Sequence, residues 1–141
     1  RSHEKKHKMV HNDSHKFESN FVSLEIPKNN SVMFGSLSGT KLGVWVAHGE
    51  GKFEFPYEEK EYNIIAKYNY DGYPANPNGS PWSVAGVCSK DGRHLAMMPH
   101  PERAIFPWQC GYYPADRKEN DEVTPWIEAF VNARKWIENN K

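Results

Sequence analysis

Five short apolar runs of strand length punctuate residues 21–98, and a helical period replaces them only near the end of the chain. Val22, Leu24 and Ile26 alternate with Ser23 and Glu25, the two-residue period of a half-buried strand, and Pro27, Asn29 and Asn30 turn the chain. Leu42 to Ala47 is a nearly unbroken apolar run, which predicts a strand buried on both faces. Ile64 to Tyr68 is a further strand, stopped by Asp71-Gly72. Val84 to Cys88 and His94 to Met98 flank Asp91-Gly92, a strong hairpin signal. The one convincing helix begins at Thr124 as its cap, with Pro125 in the first position and an apolar stripe of Trp126, Phe130, Ala133 and Ile137; Asn139 and Asn140 end it. Strands this numerous, without helices alternating between them, are not the pattern of a complete parallel α/β domain. Residues 1–141 therefore read as one piece of a larger domain.

Composition excludes several partners. Lys plus Arg and Asp plus Glu stand at 18 each, so no global field recruits nucleic acid or an anionic membrane. No apolar run approaches the roughly 20 residues that cross a bilayer, and residues 1–13 contain no apolar signal core. The expectation is a soluble, cytoplasmic protein without membrane or nucleic-acid partners. Cys88 and Cys110 lack metal-type spacing and are too few for a disulfide framework, so both are expected as reduced thiols. Aromatic side chains make up 13% of the chain and crowd with Pro, Gly and Asn between Tyr68 and Trp82, a composition that predicts packing against another surface.

The residues that can do chemistry are acid–imidazole pairs. In extended chain, side chains two residues apart point to the same side, where an acid can orient an imidazole and offset its charge. Such a pair can activate a thiol or hydroxyl nucleophile. The sequence holds three: His11 with Asp13, His48 with Glu50, and His100 with Glu102. The third is favoured, because it follows a predicted strand and is stiffened by Pro99 and Pro101. His48 and Glu50 sit between a strand and Gly51, where backbone can approach a ligand closely. His3, His7, His11 and His15 recur every four residues and would align on a helix as zinc ligands. Their segment is poor in apolar residues and breaks at Asn12-Asp13, so coincidence is preferred and no metal site is expected. Met97 and Met98 read as core, and Arg103 as an ion-pair or interdomain contact.

Met97-Met98-Pro99-His100-Pro101-Glu102-Arg103-Ala104 is similar to the segment that carries the triad His and Glu in the glutaminase domains of phosphoribosylformylglycinamidine synthases. Ala47 to Gly51, Ala75 to Ser80, Asp91 to Arg93 and Asn12 to Glu18 resemble the same family in the same order. The ending, Pro125-Trp126 through Trp136, looks more like the large single-chain synthase than the small separate glutaminase subunit. The resemblance implies an α/β, class I glutamine amidotransferase fold of flavodoxin-like type, of which this chain supplies the strand-rich C-terminal half and its terminal helix.

The resemblance also implies roles. A cysteine thiolate attacks the glutamine side-chain amide; His100 takes the thiol proton and hands it to the leaving amine; Glu102 holds the imidazole. His48 and Glu50 would shape the glutamine pocket. Ammonia would pass to a synthetase site in the rest of the synthase, where ATP and magnesium act; no cofactor is implied within this stretch. In the family the nucleophile stands on a strand-to-helix turn upstream of the segment that begins here. Neither Cys88 nor Cys110 has that setting, so the chain alone is expected not to hydrolyse glutamine. Lys16 and Asn20 stand where family members commonly carry arginine. The competing reading is a non-catalytic binding module that inherited an idle His–Glu pair.

Overall fold

The computed structural model describes residues 6–141. In chain order they form β1 (Lys8–Val10), β2 (Glu18–Glu25), β3 (Lys41–His48), β4 (Lys52–Glu54), β5 (Asn63–Tyr68), β6 (Val84–Cys88), β7 (Leu95–Met97), a short helix α1 (Ala115–Lys118) and α2 (Ile127–Asn139). Five strands build one antiparallel sheet in the order β3-β2-β5-β6-β7, and β1 with β4 makes a two-stranded ribbon.

The longest ladder joins β2 to β3 in register from Glu18↔His48 to Glu25↔Lys41. Directly opposed residues of an antiparallel pair share a face, so Val22 and Leu24 meet Val44 and Val46 on one side, all of them buried. Ile65, Ala66, Tyr68 and Ala85 extend that core across β5 and β6. Each buried Val, Leu or Ile side chain among them contributes about 1.5–3 kcal/mol by leaving water. The β6–β7 hairpin turns at Asp91-Gly92 as its sequence predicts, with Gly92 at φ +73°.

The helix closes the core through only part of the stripe its sequence suggested. Trp126 and Ala129 are buried, while Phe130, Val131 and Ile137 are exposed. The indole N–H of Trp126 donates to the Gly43 carbonyl at 2.8 Å, and its ring lies 5.7 Å from that of Phe34. Of the predicted stripe, Trp126 is thus the buried anchor and Ala133 is half-buried, while Phe130 and Ile137 face outward. Thr124 does not cap the helix: its buried hydroxyl donates to the Ala104 carbonyl at 2.5 Å.

Two further expectations change, and the helical alternative for the histidines is set aside. β3 is not buried on both faces; on the face away from the core Gly43, Trp45 and Ala47 are only half-buried. It is an edge strand whose second face is covered in part, by Phe21 and by the loop whose Gln109 carbonyl accepts the Trp45 indole N–H at 2.7 Å. The histidine quartet does not align on a helix, since Lys8–Val10 pairs with β4; His3 lies outside the described residues. The aromatic stretch is divided: Tyr68 is buried, Trp82 stacks on Phe55 at 5.4 Å, and Tyr70 and Tyr73 are exposed.

If the Trp126 anchor closes the core, Trp126→Ala costs about 3–5 kcal/mol of unfolding free energy. Urea denaturation checks this, and a loss below about 1 kcal/mol contradicts it.

Candidate functional site

Proline decides the local path of the site. Pro99 and Pro101 fix their own φ and drive the residue before each of them out of helical conformation. His100, between them, sits at φ −109° and ψ 84°. Residues Pro101–Arg103 then form one 3₁₀ turn, closed by bonds from the Arg103 N–H to the His100 carbonyl and from the Ala104 N–H to the Pro101 carbonyl. The turn is pinned at both ends. The His100 backbone N–H donates to the Trp45 carbonyl on the open edge of β3 at 2.8 Å, and the Ala104 carbonyl accepts the Thr124 hydroxyl.

Within it, His100 Nδ1 lies 2.9 Å from Glu102 Oε1, and Arg103 Nε lies 3.8 Å from the same oxygen. A carboxylate at Nδ1 selects the tautomer with its proton there and leaves Nε2 as the basic nitrogen. The His100 side chain keeps 29% of its exposure, enough to meet a reacting group. Of the three acid–imidazole pairs in the sequence, this is the one that closes. Glu50 faces His11 at 3.5 Å rather than His48, and Asp13 faces Lys52 at 2.6 Å.

His48 ends the core-facing row of β3, buried, with its ring centroid 6.5 Å from that of His100. Neither ring nitrogen has a hydrogen-bond partner. Burial pushes its pKa below the ordinary imidazole value; nearby His100 pushes the same way, while the flanking Asn78 amide and Glu18 oppose. Asn12 ties this region together. Its Nδ2 donates to the Lys16 and His48 carbonyls at 3.0 and 2.8 Å, and its Oδ1 accepts from Gly51 N–H and Asn78 Nδ2 at 3.0 and 2.8 Å. Gly51 is required by space: a Cβ there would stand 2.2 Å from His48 Cδ2.

Glu18 is the residue sequence reasoning passed over. It is buried opposite His48, and its Oε1 has no hydrogen-bond partner. The signal was present, because positions 18, 22 and 24 share the core face of one strand. A carboxylate in phase with Val22 and Leu24 marks a polar site at the end of the core.

Neither thiol is poised as a nucleophile. Burial raises the pKa of Cys88, with Asp91 adding to it; burial raises that of Cys110 against the pull of Lys118. A groove of about 400 Å³ lined by Phe21, Leu42, Tyr112 and Arg117 includes no residue of the His100 turn. Among the described residues no group of three or more His, Cys, Asp or Glu side chains could hold a metal, and no helix is long and apolar enough to cross a membrane.

Comparison with known families matches residues 1–137 to the CobB/CobQ-like glutamine amidotransferase domain. The chain belongs to that amidotransferase family. It is 43% identical over 145 residues to a probable phosphoribosylformylglycinamidine synthase, chloroplastic/mitochondrial, of Arabidopsis thaliana, covering 94% of this chain and 10% of the relative. The phosphoribosylformylglycinamidine synthase of Homo sapiens is 43% identical over 138 residues, covering 89% of this chain and 10% of that protein. The chain thus spans about a tenth of the length of the curated relatives it matches. Among solved structures, PurLQS from Thermotoga maritima superposes with a TM-score of 0.71 at 25% identity, over 94% of this chain and 54% of that one. The amidotransferase fold class is thereby established for the chain, as a strand-rich α/β portion with a C-terminal helix.

Raised thiol pKa values mean less thiolate at neutral pH. Iodoacetamide should therefore modify Cys88 and Cys110 more slowly than free cysteine at pH 7, with the difference shrinking as pH rises. Mass-resolved alkylation rates check this; faster-than-free reaction at either site contradicts it.

Proposed function

We propose that this chain is the His–Glu-bearing part of the glutaminase domain of a phosphoribosylformylglycinamidine synthase, releasing ammonia from glutamine for ATP-dependent amidine formation in purine biosynthesis. The observation that carries the reading is the 2.9 Å contact between His100 Nδ1 and Glu102 Oε1 on a partly exposed ring, in a chain of this family. The names of its relatives support the choice of synthase.

In this mechanism a thiol from another stretch of polypeptide gives its proton to His100 Nε2 and attacks the glutamine amide carbon. The imidazolium then delivers that proton to the amide nitrogen as the C–N bond breaks, leaving ammonia and a thioester. Water attacks the thioester with His100 again as base, and glutamate leaves as the thiol is restored. Glu102 holds the tautomer and offsets the imidazolium charge. Arg103 Nε stands 3.8 Å from the same Glu102 oxygen as an exposed ion-pair neighbour. We assign the neighbouring turn to the substrate side, with exposed Glu50 reaching glutamine and His48 forming the inner wall.

The partners of this reading are glutamine and the remainder of the synthase. ATP and magnesium belong to the synthetase site, and no residue here is assigned to them. A cytoplasmic location is part of the proposal; the Arabidopsis thaliana relative is named chloroplastic/mitochondrial.

Two outcomes test it. The chain by itself should release no glutamate from glutamine, and release abolished by His100→Ala would return Cys88 or Cys110 to the role of nucleophile. In the enzyme that joins this chain to the thiol-bearing segment, His100→Ala should lower glutaminase kcat by about 10²–10⁴-fold. Ammonium-supported synthesis should survive the same substitution. Wild-type glutaminase turnover in His100→Ala would refute the assignment.

A further inference from the structure

We propose that the aromatic ridge of Phe106, Trp108 and Tyr112, with the groove beside it, is a docking surface for polypeptide of the same synthase outside these residues. The inference rests on the glutaminase reading above and names the face which that polypeptide covers.

The ridge is held in place from beneath. Phe21 and Trp45 are directly opposed in the β2–β3 ladder and leave the face away from the core, their rings 5.0 Å apart. Across that face lies the segment that follows the His100 turn. The Trp45 indole N–H donates to the Gln109 carbonyl at 2.7 Å. Gly111 approaches Phe21 so closely that a Cβ there would stand 2.9 Å from the phenylalanine Cβ. Pro107–Gln109 forms a 3₁₀ turn, locked where the Phe106 N–H donates to Gln109 Oε1 at 3.0 Å. Farther on, the Tyr113 hydroxyl donates to Asp121 Oδ2, which also accepts from Arg117 Nε at 3.0 Å. A segment pinned this firmly nevertheless turns Trp108 and Tyr112 outward, 73% and 75% exposed, and stacks Phe106 on Trp108 with the ring planes 8° apart. Hydrophobic side chains scattered singly on a surface need no explanation, but three large rings on one rigid segment do. Groups already ordered lose little freedom when covered, and Trp and Tyr are the residues that anchor interfaces.

Shape selects polypeptide as the occupant. Trp108 and Tyr112 are knobs that need a concave acceptor, while the groove of about 400 Å³ beside Tyr112, Phe21 and Leu42 needs a knob in return. A small molecule would fill the groove and leave the knobs in water. The partner surface is therefore apolar, with hydrogen-bond acceptors for the Trp108 indole N–H and the Tyr112 hydroxyl.

Two observations assign that surface to the synthase itself. The chain spans a tenth of its curated relatives and 54% of the PurLQS chain, so in those proteins the corresponding segment shares its molecule with more polypeptide. Trp45 also joins the ridge to the candidate base: its carbonyl accepts the His100 N–H as its indole holds Gln109. Polypeptide that brings a thiol to His100 thus arrives beside the ridge. A second copy of this chain would bring only Cys88 and Cys110 again.

The test is made in the complete synthase. Hydroxyl-radical footprinting needs no substitution: Trp108 and Tyr112 should oxidise several-fold more slowly than free tryptophan and tyrosine in the same solution. Rates equal to those of the free amino acids overturn the inference. Tyr112→p-benzoylphenylalanine should, on illumination, form an adduct with the synthase outside these 141 residues, located by mass spectrometry. No adduct, adducts confined to these residues, or adducts to a second copy overturn it equally. Wild-type glutaminase turnover in His100→Ala would remove the glutaminase reading and this one with it, whereas a freely oxidised ridge in an enzyme that still requires His100 removes the docking surface alone.

Discussion

The open edge of β3 is the rail on which the rest of this structure hangs. Along one face it joins β2 to form the apolar core; its Gly43 carbonyl receives the indole of Trp126 and so sets the helix; its Trp45 carbonyl receives the backbone of His100. An edge strand usually presents unpaired backbone groups as a liability. Here two of those groups attach elements far apart in sequence, and the strand ends in His48. The position of the candidate base is therefore inherited from the sheet rather than from a free loop.

The polar groups around the His100 turn stand in two environments. Glu102 is close and exposed, which gives direction but weak, screened attraction, whereas Glu18 and His48 are cross-strand neighbours buried at the end of the core. The Asn12 side chain, with every hydrogen-bonding position filled, joins the polar segments that surround this pair. A satisfied buried amide of this kind rigidifies its neighbours, because any displacement strands several polar groups at once.

Much of this was legible in the residues. Period-two alternation found β2, and Asp91-Gly92 found the β6–β7 hairpin, because both signals are local. Pro99 and Pro101 marked His100 for the same reason. What escaped depends on tertiary contact. The helical period found Trp126, but it did not show that Ala129 rather than Phe130 or Ile137 follows that indole into the core, where it bonds Gly43. Thr124 had the chemistry of a cap and was claimed by Ala104 instead. The pairing of Glu50 with His11, rather than with His48 two residues away, follows from β1 lying beside β4. Strands of three residues such as β1 and β4 carry too little pattern to be read alone.

The central claim is that His100 serves a thiol that neither Cys88 nor Cys110 supplies. Reacting the complete enzyme with an electrophilic glutamine analogue and locating the adduct by mass spectrometry tests it most directly. The account predicts modification of a cysteine outside these 141 residues, strongly slowed by His100→Ala. Adduct on Cys88 or Cys110, or labelling indifferent to that substitution, would contradict it.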